Sequence, residues 1–410
     1  MINILWLLMF LIAIITAFLQ FIINHNLEVF SLIVEAIFKN AQIAVEVSIG
    51  LVGILAFWLG MLRIIEETGI AQKISEKLSP LFNVIMKDIP KNSPAISTVV
   101  LNMAANFLGL DNAATPMGLK AMEQLQEYNK QKDTASDAQI LFMIINASSI
   151  TFIPITIFMY RAQLGATRPT EVFIPILLAT SVSTLVGFLS VATKQRIDLK
   201  NKILLKWILG ITLFIGITCI SFLAIDYEKR LLVSSVIGNL ILILLIGAVL
   251  FIALRKKIRS YEIFIDGAKE GFNVAIKIIP YLVAMLVAIG VLRASGFLDI
   301  LMGCINYICN LMNIDNSFVN ALPTAFMKPL SGSGARAMMI EAMQNYGADS
   351  FVGFVSSVIQ GSTETTFYVL TVYFGAIRIS KTRYALKYAL ISDLAGIIAA
   401  IVFSYMFYNM

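Results

Sequence analysis

Long apolar stretches recur along the chain and are separated by short polar or charged segments. The first, 4–23, is a charge-free run of twenty residues, and as a helix it is long enough to cross the hydrocarbon core of a bilayer. No small-residue cleavage site follows this run, so we expect an anchor rather than a removed signal peptide. Further spans are predicted at 174–193, 207–225, 231–254 and 388–408. The pattern therefore predicts an all-α polytopic membrane protein.

Two segments mix charged and apolar residues at helical spacing before an apolar run begins. In the first, 27–46 is predicted to lie at the membrane interface and 47–62 to span the bilayer. The second has the same organisation, with an amphipathic stretch at 261–277 followed by an apolar run at 278–292. After the first span, 64–91 alternates charged and apolar residues and predicts a surface helix with a connector.

Two apolar segments are interrupted by residues that do not sustain a helix. At 331–334 the sequence Ser-Gly-Ser-Gly follows Pro329, which removes a backbone donor and clashes with the preceding turn. At 111–115 the sequence Asp-Asn-Ala-Ala-Thr precedes Pro116. We predict a broken helix at each position, because irregular backbone at membrane depth is tolerated only where it is buried or lines a cavity. In secondary transporters such breaks hold the ligand, whereas the alternative is a kinked helix that only packs.

Two other apolar runs carry polar residues at their centres. The run 138–160 contains an Asn-Ala-Ser-Ser sequence from Asn146, and 351–377 contains Gln360 and a single charged residue, Glu364. Each run is predicted to cross the membrane as one helix with a polar centre. A lone carboxylate in such a run is expensive in lipid unless it is paired, hydrated or protonated.

The second half of the chain repeats the order of the first. Gly-Met-Leu-Arg at 60–63 recurs as Gly-Val-Leu-Arg at 290–293, and the polar centre 146–151 aligns with 360–365. Matching polar residues inside apolar runs are hard to explain by composition alone, so we predict an internal duplication. The predicted units are an N-terminal transmembrane helix at 1–26, a first repeat at 27–194, a basic linker with a transmembrane hairpin at 195–260, and a second repeat at 261–410.

Composition and charge indicate the environment of the chain and its orientation. Of 410 residues, 59% are hydrophobic and 14% charged, and the basic residues behind the net charge of +6 cluster between apolar runs. This distribution follows the positive-inside bias of membrane proteins and gives no reason to expect a nucleic-acid partner. The basic loops 194–206, 255–259 and 378–387 are predicted to be cytoplasmic, in the inner membrane of a bacterium. The span 174–193 then ends inside and 388–408 begins inside, so the two repeats are predicted to be inverted.

The sequence offers little for metal or covalent chemistry. Its three cysteines, Cys219, Cys304 and Cys309, form no Cys-x-x-Cys pair and are expected to be free thiols. A single histidine, His25, excludes a His-rich metal site and leaves no central member for a Ser-His-Asp triad. We therefore predict that the protein is not an enzyme and that it holds no cofactor beyond a coupling Na⁺ or H⁺.

The breaks and polar centres of both halves are expected to meet near the bilayer midplane and to form one binding site. The residues expected to contact the substrate are Asn106, Asp111, Asn112, Thr115, Asn146, Ser149, Ser331, Ser333, Gly334, Gln360 and Thr363. Glu364 and Asp393 are the candidates for binding a coupling proton or sodium ion. Lys328 and Arg336 are expected to pair with carboxylates or to gate the site. The alternative for Glu364 is a structural ion pair with one of these two cations.

Three segments carry a resemblance to a known family. They are Asn-Met-Ala-Ala-Asn-Phe-Leu-Gly-Leu-Asp-Asn-Ala-Ala-Thr-Pro at 102–116, Lys-Pro-Leu-Ser-Gly-Ser-Gly at 328–334, and Gln-Gly-Ser-Thr-Glu-Thr-Thr-Phe-Tyr at 360–368. The first half resembles spore maturation protein A and the second resembles spore maturation protein B, here fused, within the nucleoside recognition or Gate group of membrane proteins. The resemblance covers nearly the whole chain. It implies kinship with concentrative nucleoside transporters, substrate gating by paired halves, and a link to spore maturation.

Inverted repeats with broken helices are the architecture of alternating-access transporters. We predict a secondary transporter or permease for a small polar solute, nucleoside-like or a small organic anion, coupled to protons or sodium. The alternative is a non-transporting membrane scaffold for envelope or spore-cortex assembly, in which the polar residues only lock helices together. The predicted partners are the solute, the lipid bilayer and, by kinship, further copies of the chain.

Overall fold

The protein is built almost entirely of helices. The computed structural model describes residues 2–91, 93–108, 111–148 and 150–408, with 2 and 111–113 described by their backbone alone. Within these residues no strand is present, and one isolated bridge joins Thr134 and Lys381. The helices are α1 (Ile2–Asn24), α2 (Glu28–Thr68), α3 (Ile70–Ile85), α4 (Pro94–Phe107), α5 (Asp111–Tyr128), α6 (Asp137–Ala147), α7 (Ile155–Gln163), α8 (Phe173–Lys194), α9 (Lys202–Leu223), α10 (Tyr227–Arg255), α11 (Ser260–Ala294), α12 (Phe297–Leu311), α13 (Leu322–Met327), α14 (Gly332–Tyr346), α15 (Phe351–Ser362), α16 (Thr366–Ala376) and α17 (Ala385–Phe407). Short 3-10 helices at Pro169–Val172 and Val319–Ala321 precede α8 and α13.

Seven of the described helical segments are long and apolar enough to cross a membrane. They are α1, α2, α8 with its preceding 3-10 turn, α9, α10, α11 and α17. Helices α9 and α10 follow each other in the chain, α9 packing on α3 and α8 and α10 on α2 and α8, and both expose apolar side chains such as Ile217, Ile220 and Leu244. Apolar surface of this extent suits contact with acyl chains rather than with water. The chain is a multi-pass membrane protein, and the predicted all-α fold class is confirmed.

Helices α2 and α11 pack closely against each other and correct one sequence prediction. The predicted interfacial segment 27–46 and its counterpart in the second half are not separate elements, because each continues into the following span as one helix. A β-carbon added at Gly267 would lie 2.6 Å from the Leu59 carbonyl oxygen, and one at Gly271 would lie 2.5 Å from Ala56 Cα. The two backbones therefore touch and run antiparallel. Helices α2 and α11 are both longer than a bilayer requires, and their close packing against each other along this seam stabilises them.

The order of elements in α2–α8 recurs in α11–α17. Helices α2 and α11 both end next to a glycine in the left-handed region, Gly69 with φ 68° and Gly296 with φ 77°, where a β-carbon is disfavoured. One amphipathic helix follows in each half, α3 or α12, and then five helices in the same order, α4–α8 or α13–α17. This is the element order that an internal duplication produces.

The last helices of the two halves, α8 and α17, pack side by side. The Oγ of Ser183 lies 3.0 Å from the carbonyl oxygen of Ser392, and the Oγ of Ser392 lies 2.9 Å from the carbonyl oxygen of Ser183. One turn further along, β-carbons added at Gly187 and Gly396 would contact Ser392 and Ser183, respectively. This exchange of partners is the geometry of an approximate two-fold axis between antiparallel helices, as in transporters with inverted repeats. Which end of the molecule is cytoplasmic stays a prediction.

The two predicted helix breaks are present but lie slightly upstream of their predicted positions. Helix α14 begins at Gly332, so the break covers 328–331 rather than 331–334. Helix α5 begins at Asp111, so 111–115 forms the first turns of a helix and not the break. Proline explains the first shift, because Pro329 ends α13 by lacking a donor, whereas Ser331 then caps the new helix.

The two runs with polar centres are not single helices, and this prediction was wrong. One run divides into α6 and α7 around 148–154, and the other into α15 and α16 around 363–365. Pro154 stands immediately before α7, where it cannot continue a helical hydrogen-bond ladder. Thr363 has extended backbone, with φ −148° and ψ 174°, a conformation that suits a β-branched residue. Each half therefore contains two broken helices rather than one.

Candidate functional site

The four breaks meet in the interior and are held by backbone hydrogen bonds. In the first half, the N–H of Phe152 donates to the carbonyl of Phe107 at 3.2 Å. In the second half, the N–H of Phe367 donates to the carbonyl of Pro329 at 3.0 Å. The N–H of Glu364 crosses between the halves and donates to the last carbonyl of α6 at 2.8 Å. The breaks thus satisfy one another's backbone groups, as non-helical backbone at membrane depth requires.

A cavity of about 140 Å³ lies between the breaks. Both halves contribute to its wall, through α4, α7, α14 and α15 and through the breaks before α7, α14 and α16. The polar side chains of the wall are Asn106, Thr151, Thr156, Tyr160, Lys328, Arg336, Gln360, Thr363, Glu364 and Thr365. Two larger grooves of about 350 Å³ are lined almost wholly by apolar side chains and offer little to a polar solute. A groove of about 500 Å³ between α2, α11 and α14 is polar, but its Arg293 is already paired with Glu341 and it does not border the breaks.

The charge in this cavity is predominantly positive. Lys328 is 4% exposed, and the guanidinium carbon of Arg336 lies 5.6 Å from the ring centre of Tyr160. Glu364 supplies the carboxylate among the described wall residues, and its side chain is exposed. Helices α7, α14 and α16 all begin at the wall, and a helix N-terminus carries partial positive charge. Two cations and three helix N-termini suit an anionic group.

Amide side chains form a network behind one side of the cavity. The Nδ2 of Asn106 donates to the Oδ1 of Asn146 at 2.8 Å, and the hydroxyl of Tyr373 donates to the same oxygen at 3.3 Å. The Nδ2 of Asn102 bridges the α4–α5 break by donating to the carbonyl of Ala114 at 2.7 Å. Asn102 and Asn146 are buried. The network fixes the orientation of Asn106, which alone of these amides lines the cavity.

The start of α14 presents backbone to the cavity. The Oγ of Ser331 accepts from the N–H of Gly334 at 3.0 Å and lies 3.2 Å from the Oγ of Ser333, so Ser331 caps the helix. Gly332 lines the cavity, where an added β-carbon would lie 2.7 Å from the Oγ1 of Thr365. An added β-carbon at Gly334 would instead meet the methyl groups of two methionines. The absence of a side chain at Gly332 thus keeps this part of the cavity open.

Loops from the two halves also join beyond the cavity, and at one end this junction is buried. Arg161 is fully buried, with its Nη2 2.7 Å from Glu171 Oε1 and its Nη1 donating to the carbonyl of Ala348 at 3.0 Å. The backbone N–H and the hydroxyl of Thr167 both donate to Asp349. We call Arg161, Thr167, Glu171 and Asp349 the buried clasp. It joins the loop before α15 to the loop before α8.

A second junction lies at the opposite end and is exposed. The Nζ of Lys381 lies 2.9 Å from Asp133 Oδ2, and the Nη1 of Arg383 lies 2.7 Å from Asp137 Oδ1. We call Asp133, Asp137, Lys381 and Arg383 the exposed clasp, which joins the loop before α6 to the loop before α17. The buried clasp lies at the start of α8. The exposed clasp lies at its end, because Gln195, which follows α8, donates to the carbonyl of Asp137. The 22 residues of α8 separate the two clasps by roughly 33 Å.

Two stretches of the chain, 48–166 and 275–380, match the family profile described as nucleoside recognition, or Gate. Each stretch begins inside a long helix, α2 or α11, and ends in the loop after α7 or α16. Together they cover more than half of the chain. The chain belongs to the nucleoside recognition family. Helices α2–α8 and α11–α17, each of which contains one matched stretch, are called the Gate repeats below.

Two proteins of Bacillus subtilis (strain 168) are similar to parts of this Gate-family chain. Spore maturation protein B is 46% identical over 159 residues, which are 39% of this chain and 88% of that protein. Spore maturation protein A is 38% identical over 183 residues, which are 45% of this chain and 90% of that protein. These matches confirm the resemblance seen in the sequence, and they are consistent with a fusion of two such proteins.

The Gate repeats bring six of the predicted site residues to the wall of one cavity. These six are Asn106, Lys328, Arg336, Gln360, Thr363 and Glu364. Asn146 lies behind Asn106, whereas Ser331, Ser333 and Gly334 form the first turn of α14 and its cap. Thr115 lies on α5 and is not among the described wall residues. Ser149 and the side chains of Asp111 and Asn112 lie outside the described residues. The binding roles of all these residues stay predictions.

Several wall residues were not among the predicted contacts. Thr151 and Thr365 occupy equivalent positions when 146–151 is aligned with 360–365, so the symmetry of the Gate repeats was a signal that pointed to both. Tyr160 had no such signal. Its ring reaches the cavity because the chain turns at the α6–α7 break, whereas the sequence predicted one helix over 138–160.

Proposed function

We propose that this Gate-family membrane protein is a secondary transporter for a small organic anion, which binds in the cavity between the four breaks. The observation that carries the proposal is a polar cavity between the four breaks, built by both repeats and lined by the cations Lys328 and Arg336. A protein whose polar residues only lock helices together needs no such cavity. The helix N-termini at the wall add donors for a carboxylate.

The size of the cavity favours a small solute. Its volume of about 140 Å³ is well below the ~300–1,000 Å³ of pockets that bury drug-sized ligands. A short mono- or dicarboxylate suits this space better than a nucleoside. A nucleoside is the second candidate, favoured by the description of the family as nucleoside recognition, and it requires a wider cavity than this conformation has.

The two clasps support alternating access. Each clasp joins the Gate repeats at one end of α8, with the cavity between the breaks of the same two repeats. Opening one clasp while the other stays closed exposes the cavity to one side of the membrane at a time. The approximate two-fold axis at Ser183 and Ser392 relates the two movements, because each repeat presents the same two loops to the other.

The relatives suggest where this transport takes place. Both are bacterial proteins named for spore maturation, so we assign the chain to the cytoplasmic membrane of a bacterium and to the movement of solute during that process. Similarity to both proteins in one chain fits a transporter whose two halves act together.

The binding step is tested by thermal unfolding of the purified protein with succinate, uridine or adenosine. A ligand that binds only the folded state raises the unfolding temperature, and we expect this rise with succinate. Arg336→Gln is expected to abolish the rise, because it removes a cation from the wall. Arg259→Gln is the matched control, since the side chain of Arg259 is 82% exposed and lies outside the cavity. A rise with uridine alone would favour the second candidate.

The transport step is tested by succinate uptake into proteoliposomes. Gly332→Ala is expected to reduce uptake, because the new β-carbon would lie 2.7 Å from Thr365 Oγ1 inside the cavity. Gly375→Ala is the control, since no atom lies within 4 Å of the added β-carbon. Neither binding nor uptake of any tested solute by a folded, inserted protein would favour the membrane scaffold.

A further inference from the structure

Asp393 is a buried carboxyl group that lacks the partners of a structural residue. It lies within α17 and is 1% exposed, yet neither carboxylate oxygen has a hydrogen-bond partner among the described residues. The hydroxyls of Thr363 and Thr366 face it, but neither makes a hydrogen bond of normal geometry. A buried, ionised carboxylate is costly unless it is paired, so a cation or a proton must neutralise its charge.

Among the described residues, two charged groups from the breaks act on the Asp393 carboxylate. The ammonium of Lys328 attracts the carboxylate, and the carboxylate of Glu364 repels it. Both groups come from the breaks that border the cavity. The charged residues of other helices packed on α17 lie toward its ends: Asp137, Lys194 and Arg230. Within the part of the chain that the structure describes, Lys328 and Glu364 are therefore the charges that act most directly on Asp393.

Lys328 is shared between Asp393 and the cavity. It lines the cavity wall and also interacts electrostatically with Asp393, so it has two competing sites for an anion. When the two repeats are aligned on Ser183 and Ser392, Thr184 is the residue equivalent to Asp393. When they are aligned on the first residues of α5 and α14, Phe107 is the residue equivalent to Lys328. Both positions are uncharged in the first repeat. The charged pair therefore occurs in one repeat and is not required by the fold that the repeats share.

We propose that Asp393 binds the proton that travels with the anion, and that proton and anion are coupled through Lys328. When Asp393 is ionised, Lys328 is its counter-charge and the cavity holds an anion weakly. When a proton binds to one carboxylate oxygen, Asp393 is neutral and Lys328 becomes the counter-charge of the anion. For each single negative charge of the anion that Lys328 neutralises, the charges of Asp393, Lys328 and the anion sum to zero in both states. Glu364, exposed to the cavity, offers the proton a route from cavity water to Asp393. This inference rests on the proposed transport of an anion.

The first test measures succinate affinity by calorimetry as the pH is lowered from alkaline to mildly acidic. In the parent protein the affinity is expected to rise by about 5- to 150-fold, the range of typical coupling between two binding sites. Asp393→Asn keeps the shape and removes the charge, so its affinity should equal the low-pH affinity of the parent at every pH. Asp266→Asn is the control, because the side chain of Asp266 is 72% exposed. Succinate binding by the parent without pH dependence would overturn the proton proposal and leave transport intact.

The second test reads the carboxyl group directly and needs no solute. Infrared titration of the purified protein is expected to show a protonated carboxyl band that appears as the pH falls and is absent in Asp393→Asn. In Lys328→Met the band should appear at higher pH, because the counter-charge is gone. If the folded parent lacks this band at every pH, Asp393 is a permanent ion-pair partner and the proposal fails. If the band is present but no anion binds, the proposed function fails and the coupling fails with it.

Discussion

Removing Arg161 tests whether the buried clasp holds the two Gate repeats together. The variant Arg161→Met keeps most of the side-chain volume but removes the charge, and it leaves Glu171 buried with a side-chain exposure of 5%. The matched variant is Arg383→Met, in the exposed clasp at the other end of α8. There the side chains of Arg383 and Asp137 are 39% and 36% exposed. The two variants remove the same type of ion pair from equivalent junctions.

The structure predicts a large difference between the two variants. Taking one partner from a buried ion pair costs about 3–5 kcal/mol, because the remaining charge cannot be solvated. Arg168 Nε lies 3.8 Å from Glu171 Oε2 and can offset part of this loss, so we expect a value near about 3 kcal/mol for Arg161→Met. An exposed pair contributes about 0–1 kcal/mol, which is the loss expected for Arg383→Met. The double variant Arg161→Met/Glu171→Leu should recover part of the loss, since no unpaired charge remains.

The measurement is equilibrium unfolding of the purified protein in mixed micelles, followed by circular dichroism and compared with the parent at one pH and salt concentration. Salt should affect Arg383→Met and the parent differently, because an exposed pair is screened, whereas Arg161→Met should differ from the parent by the same amount at all salt concentrations. Equal losses for the two single variants would refute the assignment of Arg161 as a buried clasp residue. The same result would remove the structural basis for one clasp being stronger than the other.

Three further predictions concern the seam, the topology and the exposed clasp. Gly271→Ala should destabilise the protein by about 1–3 kcal/mol in the same unfolding assay, because the added β-carbon meets the backbone of α2, whereas Gly210→Ala, with no atom within 4 Å, should not. The inverted topology is tested by labelling single cysteines from each side of the membrane. Cysteines at Gln195 and Ser380, near the exposed clasp, should be labelled from one side, and cysteines at Ala166 and Tyr227, near the buried clasp, from the other. Labelling of Gln195 and Ser380 from opposite faces would contradict the inverted arrangement. The hydrogen bond from Lys381 holds the pKa of Asp133 below its ordinary value, so its stabilisation is present at neutral pH and is lost as the pH falls below about 4. Carbon-13 NMR of the aspartate carboxyl groups should show this pKa rise toward its ordinary value in Lys381→Met, with the hydrogen bond from Thr134 still lowering it in part. No change there would argue against the contact.

Hydropathy and composition were sufficient for the class of protein and for most of its spans. An apolar run of about 20 residues has few alternatives to a membrane helix, because its backbone groups must be satisfied internally in lipid. The recurrence of motifs such as 60–63 at 290–293 indicated the duplication, since each repeat must place the same polar groups at the same depth. The proline and glycine residues near 329–334 located one break to within a few residues, because their effect on a helix is local.

The composition of the site depended on contacts that no local pattern contains. The breaks around 148–154 and 363–365 lie in sequence that is apolar on both sides, and they form because each donates or accepts backbone hydrogen bonds across the interior. Sequence indicated Glu364 as the first coupling candidate because it is the single charge in its run. The fold instead exposes Glu364 to a cavity and buries Asp393 where its carboxylate interacts electrostatically with Lys328, a residue 65 positions away. The burial of a carboxylate, its ionic partner and its access to water all depend on the residues around it in space. For Glu364 and Asp393 those residues come from separate helices. Chain order and hydropathy therefore determine which polar and charged residues lie within the membrane spans. Tertiary packing decides which of them are buried, which line the cavity and which charges lie near one another.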